Sequence, residues 1–205
     1  MGITDRKKRE REKLRNLILG AAMKLFLGEG YERITIRRIA EEIEYSPATI
    51  YLHFEDKDEI LYALHEKGFE VLFKRQQTVL SIDNPLRRLR IHGETYIAFA
   101  MENPQYYDLM FIMRGPGKKI KQKEDWHIGR RSYELLKENV KDCMDARLVP
   151  QENLDVATFS LWAHVHGIAS LIIRNRCAMF PEDQVSVIAR GALDFFIGSL
   201  ARGDR

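Results

Sequence analysis

Apolar side chains recur along this chain at intervals of three and four, the period of an α-helix rather than the alternation of a strand. Leu14, Leu17, Ile18, Ala21, Ala22, Leu25 and Phe26 keep that period through three turns, and Gly28 and Gly30 end it. Thr35 is placed to cap a short second helix carrying Ile36, Ile39, Ala40 and Ile43. Glu44 and Tyr45 make a tight turn, after which Ser46-Pro47 starts a third helix that ends near Phe54. Asp56 to Glu59 reads as a capping box opening a fourth, over about residues 57–80. Further helices are expected at about 85–102, 104–113, 123–147, 153–175 and 182–201. Asn84-Pro85, Asn103-Pro104, a Gly-Pro loop from Arg114 and Pro150 separate them. The pattern predicts an all-α chain of about nine helices without internal repeat.

Two short helices joined by a tight turn and braced by a third form a helix-turn-helix, whose second helix enters a major groove. In the third helix Ile50 and Phe54 are apolar partners four apart, and Tyr51 is expected to pack part of its ring beside them. Thr49, Leu52 and His53 then face outward, with Tyr45, Ser46 and Pro47 at the exposed N-terminal end. Thr49 can reach a phosphate or a base edge, and the Tyr51 hydroxyl and His53 can donate to phosphate oxygens. Thr35 with the free amides of the second helix offers a phosphate grip, Lys57 adds a cation beside the amides of the fourth, and Arg37 is placed to read a guanine.

Charge sharpens this picture locally. The net charge of +3 is small, but residues 6–15 hold seven Lys/Arg against two Glu. That suits either a solvated helix end or a phosphate-seeking arm.

The stretch GEGYERITIRRIAEEIEYSPATIYLHFEDKDEIL, residues 28–61, resembles the DNA-binding head of the tetracycline-repressor (TetR) family. Gly30, Tyr31, Thr35, Ile39, Ala40, Ser46, Thr49, Tyr51, His53, Phe54 and Lys57 stand where that family's pattern wants them, over about residues 11–62. Leu52 and Pro47 depart from its usual residues. The resemblance implies a DNA-binding head, here residues 1–56, and a larger helical ligand-binding and dimerisation domain, residues 57–205. WAHVHG, residues 162–167, and NPQYYDLMF, residues 103–111, resemble one C-terminal subgroup with a Trp-His-Gly signature.

Residues in the body support that division independently. The helix around 153–175 is apolar nearly all round, so it should be buried on both sides, against its own core and against a partner. Ala163, Gly167, Ala169 and Ser170 would allow close helix approach. With the last helix it is expected to pair with symmetry mates as a four-helix bundle in a homodimer. Tyr96, Phe99, Tyr107, Phe111, Trp126, Trp162 and His166 are the candidate contacts for a small, apolar, fatty-acid-like effector. His166 is expected to hydrogen-bond to backbone, and the loop cations Arg114, Lys118, Lys119, Lys121 and Lys123 can steer an anionic head group.

Other classes find less support. There is no nucleophile-base-orienter set, no pair of carboxylates and no phosphate-binding glycine loop, so no catalytic residue is assigned and an enzyme is not expected. His164 and His166 are misplaced for a metal clip, and neither metal nor cofactor is expected. Cys143 and Cys177 stand apart, as thiols do in a reducing compartment. The N-terminus lacks a secretory pattern, and there is no run of about 18 uncharged apolar residues, so no membrane span is expected. The expectation is a cytoplasmic homodimer that represses transcription from a palindromic operator in double-stranded DNA and releases it on binding an effector. An activator of the same family, a non-specific architectural DNA binder and a helical-bundle enzyme are the alternatives.

Overall fold

The computed structural model describes residues 3–113 and 126–202. Among the described residues there are nine α-helices and no strand. They are α1 (Ile3–Glu29), α2 (Ile36–Glu42), α3 (Pro47–Tyr51), α4 (Lys57–Gln77), α5 (Pro85–Glu102), α6 (Pro104–Tyr107), α7 (His127–Asp145), α8 (Leu154–Ile173) and α9 (Glu182–Arg202). A 3-10 turn, Thr78–Ser81, follows α4, and α6 runs into a π turn over Asp108–Ile112. The loop expected from Arg114, with its cations, lies outside the described residues.

The helix starts follow from local chemistry. Asn84 caps α5 by accepting from the Arg87 amide at 2.8 Å, with Pro85 in the first turn. Asn153 caps α8 through the amides of Asp155 and Val156, at 3.0 and 3.1 Å. At α4 the Asp56 carboxylate accepts from the Glu59 amide at 2.7 Å, and Glu59 reaches back to the Glu55 amide at 2.5 Å. The capping box therefore forms with its return arm one residue early.

Three helix ends share one closure. Glu44, Arg147 and Asn175 have φ of 59°, 54° and 53°. Each lets the next amide reach back five residues: Tyr45 to the Ala40 carbonyl, Leu148 to Cys143 and Arg176 to Leu171, at 2.8–2.9 Å. These are Schellman closures with a side chain in the left-handed position that glycine normally occupies.

The chain divides into two compact units, Met1–Gly68 with Gln105–Asp125, and Phe69–Pro104 with Trp126–Arg205. In the first, Ile18, Ala22, Ile34, Ile39, Ile50 and Phe54 share a core with Ile60, Leu61 and Leu64 of α4 and Leu109 of the π turn. The start of α4 thus supplies part of this unit's apolar interior. In the second, α5 packs with α7, α8 and α9. Gly93 makes the approach of α5 possible: a Cβ there would lie 3.0 Å from Leu193 and 3.3 Å from Val165.

Helix α8 buries only one side within its subunit. Thr158, Leu161, Val165 and Ala169 face inward, whereas Val156, Phe159 and Leu171 are exposed. Ala169 packs against its own core, because it falls in register with Val165 and Leu161. On α9, Val187 and Phe195 are exposed, the latter at 81%. Leu154–Ile173 and Glu182–Ala201 are also long and apolar enough to cross a membrane by length and composition.

Replacing Glu44 by glycine should raise stability by about 0.5–1 kcal/mol, the left-handed strain relieved less the added chain entropy. Urea unfolding of the two proteins measures this, and a fall in midpoint would contradict it.

Candidate nucleic-acid interface and effector site

The α2–α3 hairpin is assembled from caps and a few buried anchors. Thr35 Oγ1 accepts from the Arg38 amide at 3.2 Å, and Ser46 Oγ accepts from the Thr49 amide at 3.3 Å. Thr49 Oγ1 lies a further 3.0 Å from Ser46 Oγ, so both hydroxyls sit together at the start of α3. Arg38 pairs with Glu29 through both guanidinium nitrogens, and Lys24 pairs with Glu42, tying α2 to α1. The Glu29 carboxyl is held below its ordinary value chiefly by the Arg38 hydrogen bond.

With Ile39, Ala40, Ile50 and Phe54 buried, the other faces are left outside. Tyr45 is 47% exposed, Tyr51 57% and Leu52 73%. The Tyr51 ring is thus partly covered and partly open to solvent at the end of α3. Thr35, Ser46 and Pro47 are exposed, and Thr49, His53 and Lys57 half-buried. Arg37 is exposed and pairs with Glu41 at 3.0 Å, a surface pair that holds it only weakly.

Two expected phosphate ligands have further attachments. Lys57 Nζ lies 4.2 Å above the Tyr31 ring, and the Tyr31 hydroxyl donates to Asp58 at 2.8 Å. Burial, then the Asp58 hydrogen bond, pushes the Tyr31 phenol up to about 12. Burial also lowers the His53 pKa, helped by the nearby charges of Arg11 and Arg15.

The expected effector residues fall into both units. Tyr107 and Phe111 belong to the first, with ring centroids 5.3 Å apart. Tyr96, Phe99, Trp126, Trp162 and His166 belong to the second. There Tyr96 and Phe99 are buried on α5, and the Tyr96 hydroxyl lies 3.1 Å from His166 Nδ1. Helix α5 brings this phenol to that side of α8. Trp162 sits 5.8 Å from His166 and 6.2 Å from Tyr133, centroid to centroid. His164 instead stacks on Phe196 at 4.1 Å. Trp126 meets Phe69 edge-on at 5.4 Å and covers Gly129, where a Cβ would lie 2.0 Å from the indole. Separately, a cavity of about 250 Å³ opens among Val140, Met144, Val156, Leu161, Phe196 and Leu200.

A buried polar chain was not anticipated. Arg88 bonds to Asp142 and donates through Nε to Asn139 Oδ1 at 2.7 Å. Asn139 Nδ2 must then face His92 Nδ1, 2.7 Å away, and donate to it. A neutral His92 consequently carries its proton on Nε2, which lies 2.9 Å from Gln76 Nε2, while Gln76 Oε1 lies 2.6 Å from Ser132 Oγ. Two donors cannot share one contact. A half-turn of the Gln76 amide presents oxygen to His92 and N–H to Ser132 Oγ, and removes the clash of donors. Burial lowers the His92 pKa to about 4. One sequence signal could have found this group: His92 falls on the apolar stripe of Leu89, Tyr96 and Phe99.

Comparison with known proteins follows the same division. Residues 18–64 match the family described as bacterial regulatory proteins, tetR family, and residues 89–195 match the tetracyclin repressor-like, C-terminal domain. The HTH-type transcriptional regulator TcmR of Streptomyces glaucescens is 37% identical over 54 residues, 26% of this chain. That match covers 24% of TcmR, so the chain spans about a quarter of that relative's length. A protein of unknown function from Rhodococcus sp. RHA1 has the same fold at TM-score 0.74 and 22% identity, covering 92% of this chain and 96% of that one. The transcriptional regulator FadR from Bacillus subtilis, in complex with stearoyl-CoA, does so at TM-score 0.69 and 13% identity, covering 92% and 98%.

Two outcomes test the second unit. His92 is neutral when folded and charges more readily when unfolded. Its contribution is therefore complete above the unfolded pKa near 6.5 and is lost as pH falls toward about 4. The loss is about 3 kcal/mol, read as unfolding free energy against pH, and His92→Gln should flatten that slope. Gly129→Ala should displace the Trp126 indole, changing its fluorescence and costing about 1–3 kcal/mol.

Proposed function

We propose that this chain, which belongs to the tetracycline-repressor family, is a homodimeric transcriptional repressor released from a palindromic operator by an apolar effector. That it is a DNA-binding transcriptional regulator with a ligand-binding domain follows from the family. Repression, the palindrome, the effector's chemistry and the dimer are our reading. The single observation that carries it is the capped helix α3, anchored by Ile50 and Phe54 and otherwise turned outward.

In this reading Thr35, Ser46, Thr49, Tyr51, His53 and Lys57 hold phosphates, while Arg37, Tyr45, Pro47 and Leu52 meet base edges or thymine methyls. The exposed apolar rows on α8 and α9 support pairing with a second copy. Phe159, Leu171, Val187 and Phe195 lie there beside Ala163, Gly167, Gly191 and Gly198, and a Cβ at any of the three glycines would meet open space. Such a surface suits a four-helix interface between subunits, and it accounts for the hydropathy of these helices without a membrane. A dimer would present two α3 helices about 34–36 Å apart, one DNA turn.

Tyr96, Phe99, Trp126, Trp162 and His166 of the second unit are assigned to the effector. Their aromatic character, and the stearoyl-CoA bound by FadR, support a long-chain acyl compound. The effector acts by binding one arrangement of the heads more tightly than the other, and a coupling of about 1–3 kcal/mol suffices. A regulator of this family places the protein in the cytoplasm or nucleoid. The enzyme alternative loses support because both matched families are regulators.

Selection from random duplexes should enrich an inverted repeat, and long-chain acyl-CoA should weaken binding to it. A monomer enriching no such repeat would overturn the reading, and tight binding only of hydrophilic cations would remove the proposed effector class. Lys57→Ala should weaken binding across operator variants and reduce the salt slope by about 1 per head, while Tyr51→Phe should weaken binding with little change of base preference.

A further inference from the structure

The first three turns of α1 carry no apolar residue from Thr4 to Lys13, and every one of those residues is exposed. Such a segment gains nothing from burial, yet it continues a helix already nucleated on the core from Leu14 onward. Its charges are not evenly spread. The buried stripe of α1, Leu25, Ala22, Ala21 and Ile18, continues toward the N-terminus through Arg15, Arg11, Lys8 and Lys7. At about 100° per residue these four cations share an arc of about 100°. Asp5, Glu10 and Glu12 each lie about 90° or more from its centre, and Glu10 is paired with Arg6 at 2.8 Å. The side that is greasy where α1 meets the core is thus purely cationic where the core ends.

That side is also where the recognition helix finishes. Arg15 donates to the His53 carbonyl at 3.4 Å, and its guanidinium lies 4.2 Å above the Phe54 ring. Arg11 is close enough to His53 to help depress its pKa. From Arg15 to Lys7 the stripe rises about 12 Å, a length over which one DNA strand presents three or four phosphates.

We propose that Lys7, Lys8 and Arg11 form a second DNA contact, a row of cations that continues from the end of α3 along the phosphates flanking each half-site. The inference rests on the DNA-binding reading above and extends its footprint. The contact contributes affinity and salt dependence and leaves base preference to α3.

The test uses the full chain and two variants of equal charge. One is K7Q/K8Q/R11Q on the stripe; the other is R6Q/R9Q/K13Q on the opposite side. Helicity is checked by circular dichroism, and binding to the selected repeat and to a random duplex is titrated across salt concentrations. The stripe variant should lower the slope of log K against log salt by about 2–3 per head. Its affinity should fall roughly 10- to 100-fold near ~0.1 M salt, with a shorter hydroxyl-radical footprint and the same preferred sequence. The opposite-side variant should change the slope by less than about 1. Equal losses in both variants, no loss in the first, or a change of preferred sequence would overturn the proposal. A wild-type chain that selects a repeat while the stripe variant matches it sinks this inference alone. A wild-type chain that binds anionic vesicles but no duplex sinks the regulator reading with it.

Discussion

A five-residue helix cannot hold itself together in water, and the functional face of this protein is built on one. Helix α3 closes barely more than one turn, so its conformation depends on what surrounds it. Ser46 accepts at its start, Pro47 fixes the first turn, and Ile50 and Phe54 are clamped in the core of the first unit. The Schellman closure at Glu44 sets the path by which the chain leaves α2 for α3. Since two side chains do the anchoring, the rest are free to differ, which is how Leu52 and Tyr51 come to stand in solvent.

The second unit solves a different problem. An apolar core alone would let α4, α5 and α7 slide, because oily contacts do not fix register. The chain from Ser132 through Gln76, His92 and Asn139 to Arg88 allows one arrangement of donors and acceptors. Misplacing one helix would strand a buried polar group at a cost of about 1–3 kcal/mol. Around this frame lie the aromatic groups, Tyr96 with His166 and Trp162 with Tyr133.

Two surfaces remain without cover from the described chain, and their chemistry separates them. The rows on α8 and α9 are apolar and smooth, suited to an equally apolar face. The stripe on α1 is cationic along one side and has no greasy residue, suited to a polyanion. The α1 stripe continues one whose other portion is buried in the core, whereas the rows on α8 and α9 lie on the sides opposite their buried residues. On α1 the helical period thus carries one face from the interior of the unit to solvent.

Periodicity and capping residues determined much by themselves. Nine helices, the short hairpin and the starts at Thr35, Ser46 and Asn84 were legible, because a cap bonds to amides two or three positions away and helical spacing is local. The family pattern over Gly30, Tyr31, Thr49, His53 and Lys57 was legible for the same reason. Tertiary structure alone decided that Ala169 faces inward, that Tyr96 meets His166, and how much of Tyr51 stands in solvent. It alone joined Gln76, His92 and Asn139, residues 16 and 47 apart along the chain. A sequence records which side chains share a helix face, but their partners depend on how separate helices pack, and that is a property of the assembled core.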